Sequence, residues 1–223
     1  MDPFTMQEFL TLIADNNARF WPVALIAYAL GIAAVVLLLR RAKFASAFAA
    51  GVLALFWLWA GVVFNALVFS GLWPGAVGVA VLFVIQAVLL AVTGVWKRQL
   101  RFSVTTDVTG VVGGLAILYA TVGYPAVAAL MGRGYPQSLL LGLTPCPTVV
   151  LALGWLLWSC RPLPKALLVI PVLIALAMGG MAASLGIVED FGLVITAVVA
   201  AGLLLARDRK VGHGLKVGTQ GST

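Results

Sequence analysis

Charge is the scarcest commodity in this chain. Asp, Glu, Lys and Arg make up 9% of its residues, hydrophobic residues make up 63%, and the mean hydropathy is +1.12. A soluble domain carries about 25% charged residues. A chain this poor in charge cannot cover itself with polar surface, so lipid must cover it. Histidine is almost absent, with only His213 in the C-terminal tail. Haem and zinc centres lean on histidine, so neither is expected. There are two cysteines, Cys146 and Cys160. On one helix their spacing sets them ~21 Å apart at 1.5 Å per residue, which excludes a disulfide between them.

Ionisable side chains are also missing from the middle of every apolar run. Proton-coupled pumps, voltage sensors and most ion-coupled transporters place one there. The last run has no lysine to carry retinal. Enzymatic readings fail on similar grounds. There is no Ser/His or Ser/Lys pair at membrane depth, no His-Glu metal motif and no Gly-Lys phosphate loop. Cys146 has no base partner in sequence, and Cys160 falls at the opposite end of its run, so thiol catalysis and thiol redox are poorly supported. No enzyme activity and no cofactor are expected.

What the chain does have is seven apolar runs, at 20–39, 45–69, 74–96, 108–131, 139–160, 165–187 and 191–206. A helix needs about 20 such residues to span hydrocarbon. The first run is too long for a signal-peptide core. Connections are brief, so neighbours in sequence are expected to be antiparallel neighbours in space. Twelve Lys and Arg residues gather at one side, from Arg40 and Arg41 to Lys210 and Lys216, and only Arg19 and Arg133 at the other. Positive loops stay in the cytoplasm. The N-terminus is therefore expected outside and the C-terminus inside. The net charge of +7 is spread over segment ends, not gathered with aromatics into a surface for nucleic acid, so no nucleic-acid partner is expected.

The expected fold is an all-α integral membrane protein, a seven-transmembrane-helix bundle at 20–206. An outer amphipathic helix within 1–19 precedes it, and a flexible basic tail at 207–223 follows. Thr5 and Glu8 have the spacing of a capping box, and Phe4 and Phe9 that of a hydrophobic staple. Phe9, Leu10, Leu12 and Ile13 give the 6–16 stretch one apolar face, as in helices that lie on a membrane surface. Such a helix serves as an interfacial anchor or as a lid. Trp21, Trp73, Trp96, Tyr135 and Trp158 sit near span ends as an aromatic belt. Gly pairs at 71–75 and 110–114 allow close helix approach.

The stretch Thr144-Pro145-Cys146-Pro147-Thr148 is the most unusual one. Inside a span, the two prolines would free the carbonyls of Leu141 and Leu143 and break the helix beside a thiol. Three readings follow: a structural kink with a packed thiol, a lining of a substrate path, or a soft-metal site. Thiolate and thioether favour ions such as Cu(I), and Met178 and Met181 are the available further ligands. Asn65, Tyr124, Thr144, Cys146, Thr148, Met181, Ser184 and Thr196 share the outer half of the bundle, and Gln86 lies near mid-depth. These uncharged polar residues either hydrogen-bond between helices or line a pocket, with Cys146, Thr144, Thr148, Asn65, Tyr124 and Gln86 as its candidates. Glu189 and Asp190 start the last span, where carboxylates suit a helix N-terminus or form a cation-attracting mouth.

Several stretches together resemble a known family. They are Pro3-Phe4-Thr5 with Glu8-Phe9-Leu10, Asn17 to Pro22, Leu58-Trp59 with Gly61-Val62-Val63, Phe83-Val84 with Gln86, Gly134-Tyr135-Pro136, Pro145 to Thr148, and Glu189 to Gly192. The series resembles a family of bacterial multi-pass membrane proteins filed as domain of unknown function 6064. The resemblance implies a bacterial cytoplasmic (inner) membrane location and no particular activity.

The leading functional expectation is a small transporter or channel-like protein with an outer-half pocket, for a neutral, apolar or soft-metal ligand. The second is a non-catalytic membrane sensor or partner that binds lipid or protein. The third is a soft-metal or thiol-redox protein centred on Cys146. The lipid bilayer is an expected partner, and homo-oligomerisation is left open.

Overall fold

A computed structural model describes residues 4–220, with side chains as far as Asp208. It is all-helical: the described residues form no strand, and one isolated bridge joins Phe102 to Ser159. The helices are α1 Met6–Leu39, α2 Ala45–Trp59, α3 Ala76–Leu90, α4 Val108–Leu118, α5 Tyr124–Leu130, α6 Pro145–Leu157, α7 Ala166–Leu185 and α8 Phe191–Gln220. Wider π-helical turns extend α2 through Ala60–Val68, extend α3 through Ala91–Trp96, and join α4 to α5 at Tyr119–Gly123. Six of the resulting helical segments are long and apolar enough to cross a membrane. Five of them match expected runs to within about three residues at each end, and the first, Met6–Leu39, takes in the expected amphipathic stretch as well as the run 20–39.

The capping box forms as expected. The Thr5 hydroxyl accepts from Glu8 N at 3.3 Å, and Glu8 Oε2 accepts from Thr5 N at 2.7 Å. Phe4 and Phe9 stack with centroids 6.0 Å apart, and both meet Phe69 edge-on. The amphipathic segment is thus clamped onto the end of the α2 extension. It passes into the first long span through a kink at Phe20, the one residue of α1 with non-helical backbone angles. Asn17 secures the segment from its other side, donating to the carbonyls of Pro136 and Ser138 at 2.7 and 2.8 Å. Asp107 caps α4, and its bonds from Thr105 first, then Gly110 and Thr109, hold its carboxyl below the usual range.

The fifth expected span is where the structure departs from expectation. α6 has 13 residues, about 20 Å of helix, short of the ~30 Å hydrocarbon thickness. Pro145 and Pro147 do not break a helix; they begin one. The first turn of a helix has no intrahelical use for its N–H groups, so proline costs nothing there. No carbonyl of Leu141 or Leu143 is lost to a kink, because those residues lie in the turn before the helix, where Gly142 takes φ +77°. Every residue from Leu141 to Ser159 is buried, and α6 is a central element packed against α2, α4, α7 and α8.

Close helix approach occurs at Gly113, inside the expected 110–114 stretch, and not at its end glycines, where a Cβ on Gly110 would meet Thr105 and one on Gly114 only the Trp158 ring at 3.8 Å. Gly113 and Gly154 face each other across α4 and α6, and a Cβ on Gly113 would lie 2.8 Å from the Gly154 carbonyl and the Trp158 ring. Gly71 faces open space and Gly75 meets only Trp73, so that pair makes no helix contact. Trp158 is buried and donates to Gly110 O at 2.9 Å, so it is a packing residue and not part of an aromatic belt; Trp21, Trp96 and Tyr135 are exposed. The stretch read as a flexible tail continues α8 as far as Gln220; no proline follows Pro171 to stop it.

Replacing Gly113 with Leu should therefore cost about 3 kcal/mol, the upper end of overpacking penalties. Gly180→Ala, with nothing within 4 Å of a new Cβ, should leave stability unchanged or slightly raised. Thermal unfolding in detergent, followed by tryptophan fluorescence, separates the two.

Candidate functional site

At the Arg-poor end of the bundle the start of α6, the α4–α5 junction and the turn before α8 meet around Asp190. This carboxylate is only 3% exposed. Tyr124 Oη donates to its Oδ1 at 2.9 Å, and Cys146 Sγ donates to its Oδ2 at 3.3 Å. Next to it, Glu189 pairs with Arg133 at 2.8 Å, and Tyr119 Oη donates to the Glu189 backbone carbonyl at 2.7 Å. The two tyrosine rings lie 5.2 Å apart. A buried carboxylate left without donors costs several kcal/mol, and these two donors are what make the position tenable.

Local sequence explains the convergence. Val188–Asp190 forms a single tight turn that presents both carboxylates sideways before α8 begins. Gly186, at φ +71°, ends α7 in the left-handed conformation that only glycine adopts freely. Tyr124 and Tyr119 stand on either side of a π-helical turn, and Gly192 admits the Tyr119 ring, which a Cβ there would meet at 2.2 Å. Pro145 sets Cys146 in the first turn of α6.

Cys146, Met178, Met181 and Asp190 line one small void of about 10 Å³, together with Phe9 and Phe64. That is about the volume of a single water-sized probe. The three sulfur residues expected as soft-metal ligands thus surround the same space. Among the described residues, no three His, Cys, Asp or Glu side chains gather as a metal site. Any metal held here would rely on thioether sulfur.

The six-residue pocket does not form as expected. Cys146 and Tyr124 come together through Asp190. Thr144 and Thr148 instead bond the backbone one turn back, at Leu140 O and Thr144 O. Asn65 donates to Ala60 O at 2.7 Å inside the π-helical extension, and Gln86 donates to Leu167 O at 3.1 Å. Ser184 is exposed. The short hydroxyls and amides satisfy nearby carbonyls because a desolvated backbone leaves those acceptors waiting. Glu189 and Asp190, read from sequence as a helix start or a cation-attracting mouth, stand inside the site, and Arg133, which had no expected role, pairs with Glu189 there. The available signal was charge bookkeeping: this end has two basic residues, and one of them follows α5 directly opposite two carboxylates.

The family described as "Family of unknown function (DUF6064)" matches residues 6–214. The chain belongs to the DUF6064 family. The matched stretch of this DUF6064 protein contains the whole site, from Phe9 to Asp190. No curated protein and no solved structure matches the chain.

Tyr124→Phe removes one donor from a buried carboxylate and should lower stability by about 1.5–3 kcal/mol, the range for hydrogen bonds to charged groups. Tyr135→Phe, at an exposed ring, should have no effect. Detergent melting curves of both variants check the difference.

Proposed function

We propose that this DUF6064 protein crosses a bacterial cytoplasmic membrane seven times, N-terminus outside, and acts as a small transporter that takes a soft metal ion into the void at Cys146. Six crossings are the long apolar segments. The remaining one combines the irregular chain before Pro145 with α6. The lopsided distribution of Lys and Arg supports the orientation.

One observation carries the cargo assignment: Cys146, Met178 and Met181 border a single ion-sized space beside a carboxylate. An organic ligand needs a pocket of about 300 Å³ or more, which the space at Cys146 does not offer. Thiolate and thioether are soft donors that suit Cu(I) or Ag(I). Binding exchanges the Cys146 S–H bond for an S–metal bond, and the proton passes to Asp190 Oδ2, to which the thiol already donates, with no change of oxidation state. Phe9 borders the void from the amphipathic segment, so that segment acts as the lid whose displacement admits the ion. Tyr124 and Asp190 position the thiol and do not leave the site.

The test is an anaerobic titration of the detergent-solubilised protein with Cu(I) and Ag(I), for wild type and Cys146→Ser. One tight site should be present in the wild type and lost in the variant, with Met178→Leu weakening it about tenfold or more. Equal, weak binding by both proteins removes metal from the account and leaves Cys146 as a packed thiol.

A further inference from the structure

The amphipathic segment of α1 packs onto the bundle through an apolar stripe with a polar residue in it. The inward stripe runs Phe9, Ile13, Asn16, Phe20, at steps of four, three and four residues, which is one face of a helix. Asn16 interrupts it. The residue is 3% exposed, and neither its amide nitrogen nor its amide oxygen has a hydrogen-bond partner. Both atoms are closed off from solvent, so the amide faces packed protein. Beside it, Asn17 Oδ1 is buried and unpaired as well. Buried polar atoms in folded proteins are paired in about nine cases of ten. Three unpaired atoms on two adjacent residues mark a seat that works against itself.

A break in the backbone separates this segment from the span that follows. α1 leaves helical angles at one residue, Phe20, with φ −113° and ψ 21°. Two residues later, Pro22 has no N–H to offer the Ala18 carbonyl. The hydrogen-bond ladder is thus interrupted where segment and span join, and such points are where helices kink and hinge. The Phe20 ring rests edge-on against Trp59 at 5.3 Å, and Trp59 Nε1 is another buried atom without a partner. The seat is also incompletely filled. A cleft of about 490 Å³ opens among Leu12, Asp15 and Phe20 of the segment and Val68 and Leu72 of the bundle. The segment is held down by the Phe4, Phe9 and Phe69 rings and by the Asn17 bonds to Pro136 and Ser138.

We propose that the segment is a gate that pivots at Phe20, and that Asn16 sets its balance between closed and open. Closed, the Asn16 amide is buried with no partner, which weakens the closed state. Open, the amide meets water and both its ends are satisfied. The three rings and Asn17 favour closure, and Asn16 favours opening. Opposed in this way, the two states lie close enough in free energy for a ligand to shift them. A leucine at position 16 would complete the apolar stripe and hold the segment shut. This gate is the lid already assigned to the Cys146 void, and its regulation rests on that assignment, whatever ligand the void takes.

Paired spin labels read the two states directly. Gln7→Cys and Met131→Cys, both at exposed positions, carry the labels in the full chain in detergent, with Cys146→Ser and Cys160→Ser removing the native thiols. Double electron–electron resonance gives the closed and open distances and their populations. Asn17→Ala removes the bonds to Pro136 and Ser138 and should bring a second, longer distance to a measurable share. Adding Asn16→Leu should then cut the ratio of open to closed protein about tenfold or more. Asn16→Ala, which removes the amide without adding volume, should shift the ratio the same way. A single short distance in the Asn17→Ala protein would overturn the lid itself. A second distance that appears with Asn17→Ala and shrinks with neither Asn16 variant would overturn the role of Asn16 and leave the lid standing. More open protein in both Asn16 variants would show that the amide is satisfied in the closed state, and would overturn that role as well. None of these outcomes depends on whether Cys146 binds a metal.

Discussion

A single buried carboxylate organises the Arg-poor end of this molecule. Asp190 cannot be left bare in a medium without water, and the groups that satisfy it come from separate parts of the chain: Tyr124 at the start of α5 and Cys146 in the first turn of α6. Satisfying Asp190 fixes where α6 begins relative to α5 and α8. That placement positions the short helix, and α6, buried along its full length, is the surface against which α2, α4, α7 and α8 pack. The Glu189–Arg133 pair holds the same turn from its other side.

Because α6 starts inside the bundle, the chain before it must descend as irregular backbone. Polar backbone of this kind is tolerated away from water only where protein satisfies it. Asn17 covers Pro136 and Ser138, and the Thr144 hydroxyl covers Leu140. The amphipathic segment is therefore more than a surface anchor. Through Asn17 it supports the descending chain, and through Phe9 it closes the void beside Cys146. The segment thus borders the void and braces the descending chain at once, so a movement of it would disturb both.

Sequence reasoning reached the long elements and missed the centre, for a physical reason. Hydropathy and length mark a span directly, so six segments and the capping box at Thr5 and Glu8 were readable. The same hydropathy runs through 139–160 without a break, because a buried half-helix and a membrane span are equally apolar. Proline then carried the decision, and its meaning depends on position: Pro145 within a helix would break it, whereas Pro145 at the first helical position starts it. The π-helical turns at Ala60–Val68 and Tyr119–Gly123 have no sequence signature at all. Counting soft donors at one depth singles out Met178 and Met181 beside Cys146, and the three line the same space. Asp190 was missed because a carboxylate at a helix start has an ordinary explanation in the helix dipole. Its two donors lie 44 and 66 positions away in sequence.

The central claim is that Cys146 is held buried in the fold by its bond to Asp190 and by Phe9 beside it. Alkylation of the thiol measures this directly. In a Cys160→Ser background, which leaves Cys146 as the only cysteine, a small maleimide should react negligibly with the folded protein and fully after denaturation. Phe9→Ala should make the folded protein reactive. Rapid labelling of the unaltered thiol in folded protein, at the rate seen after denaturation, would contradict the account.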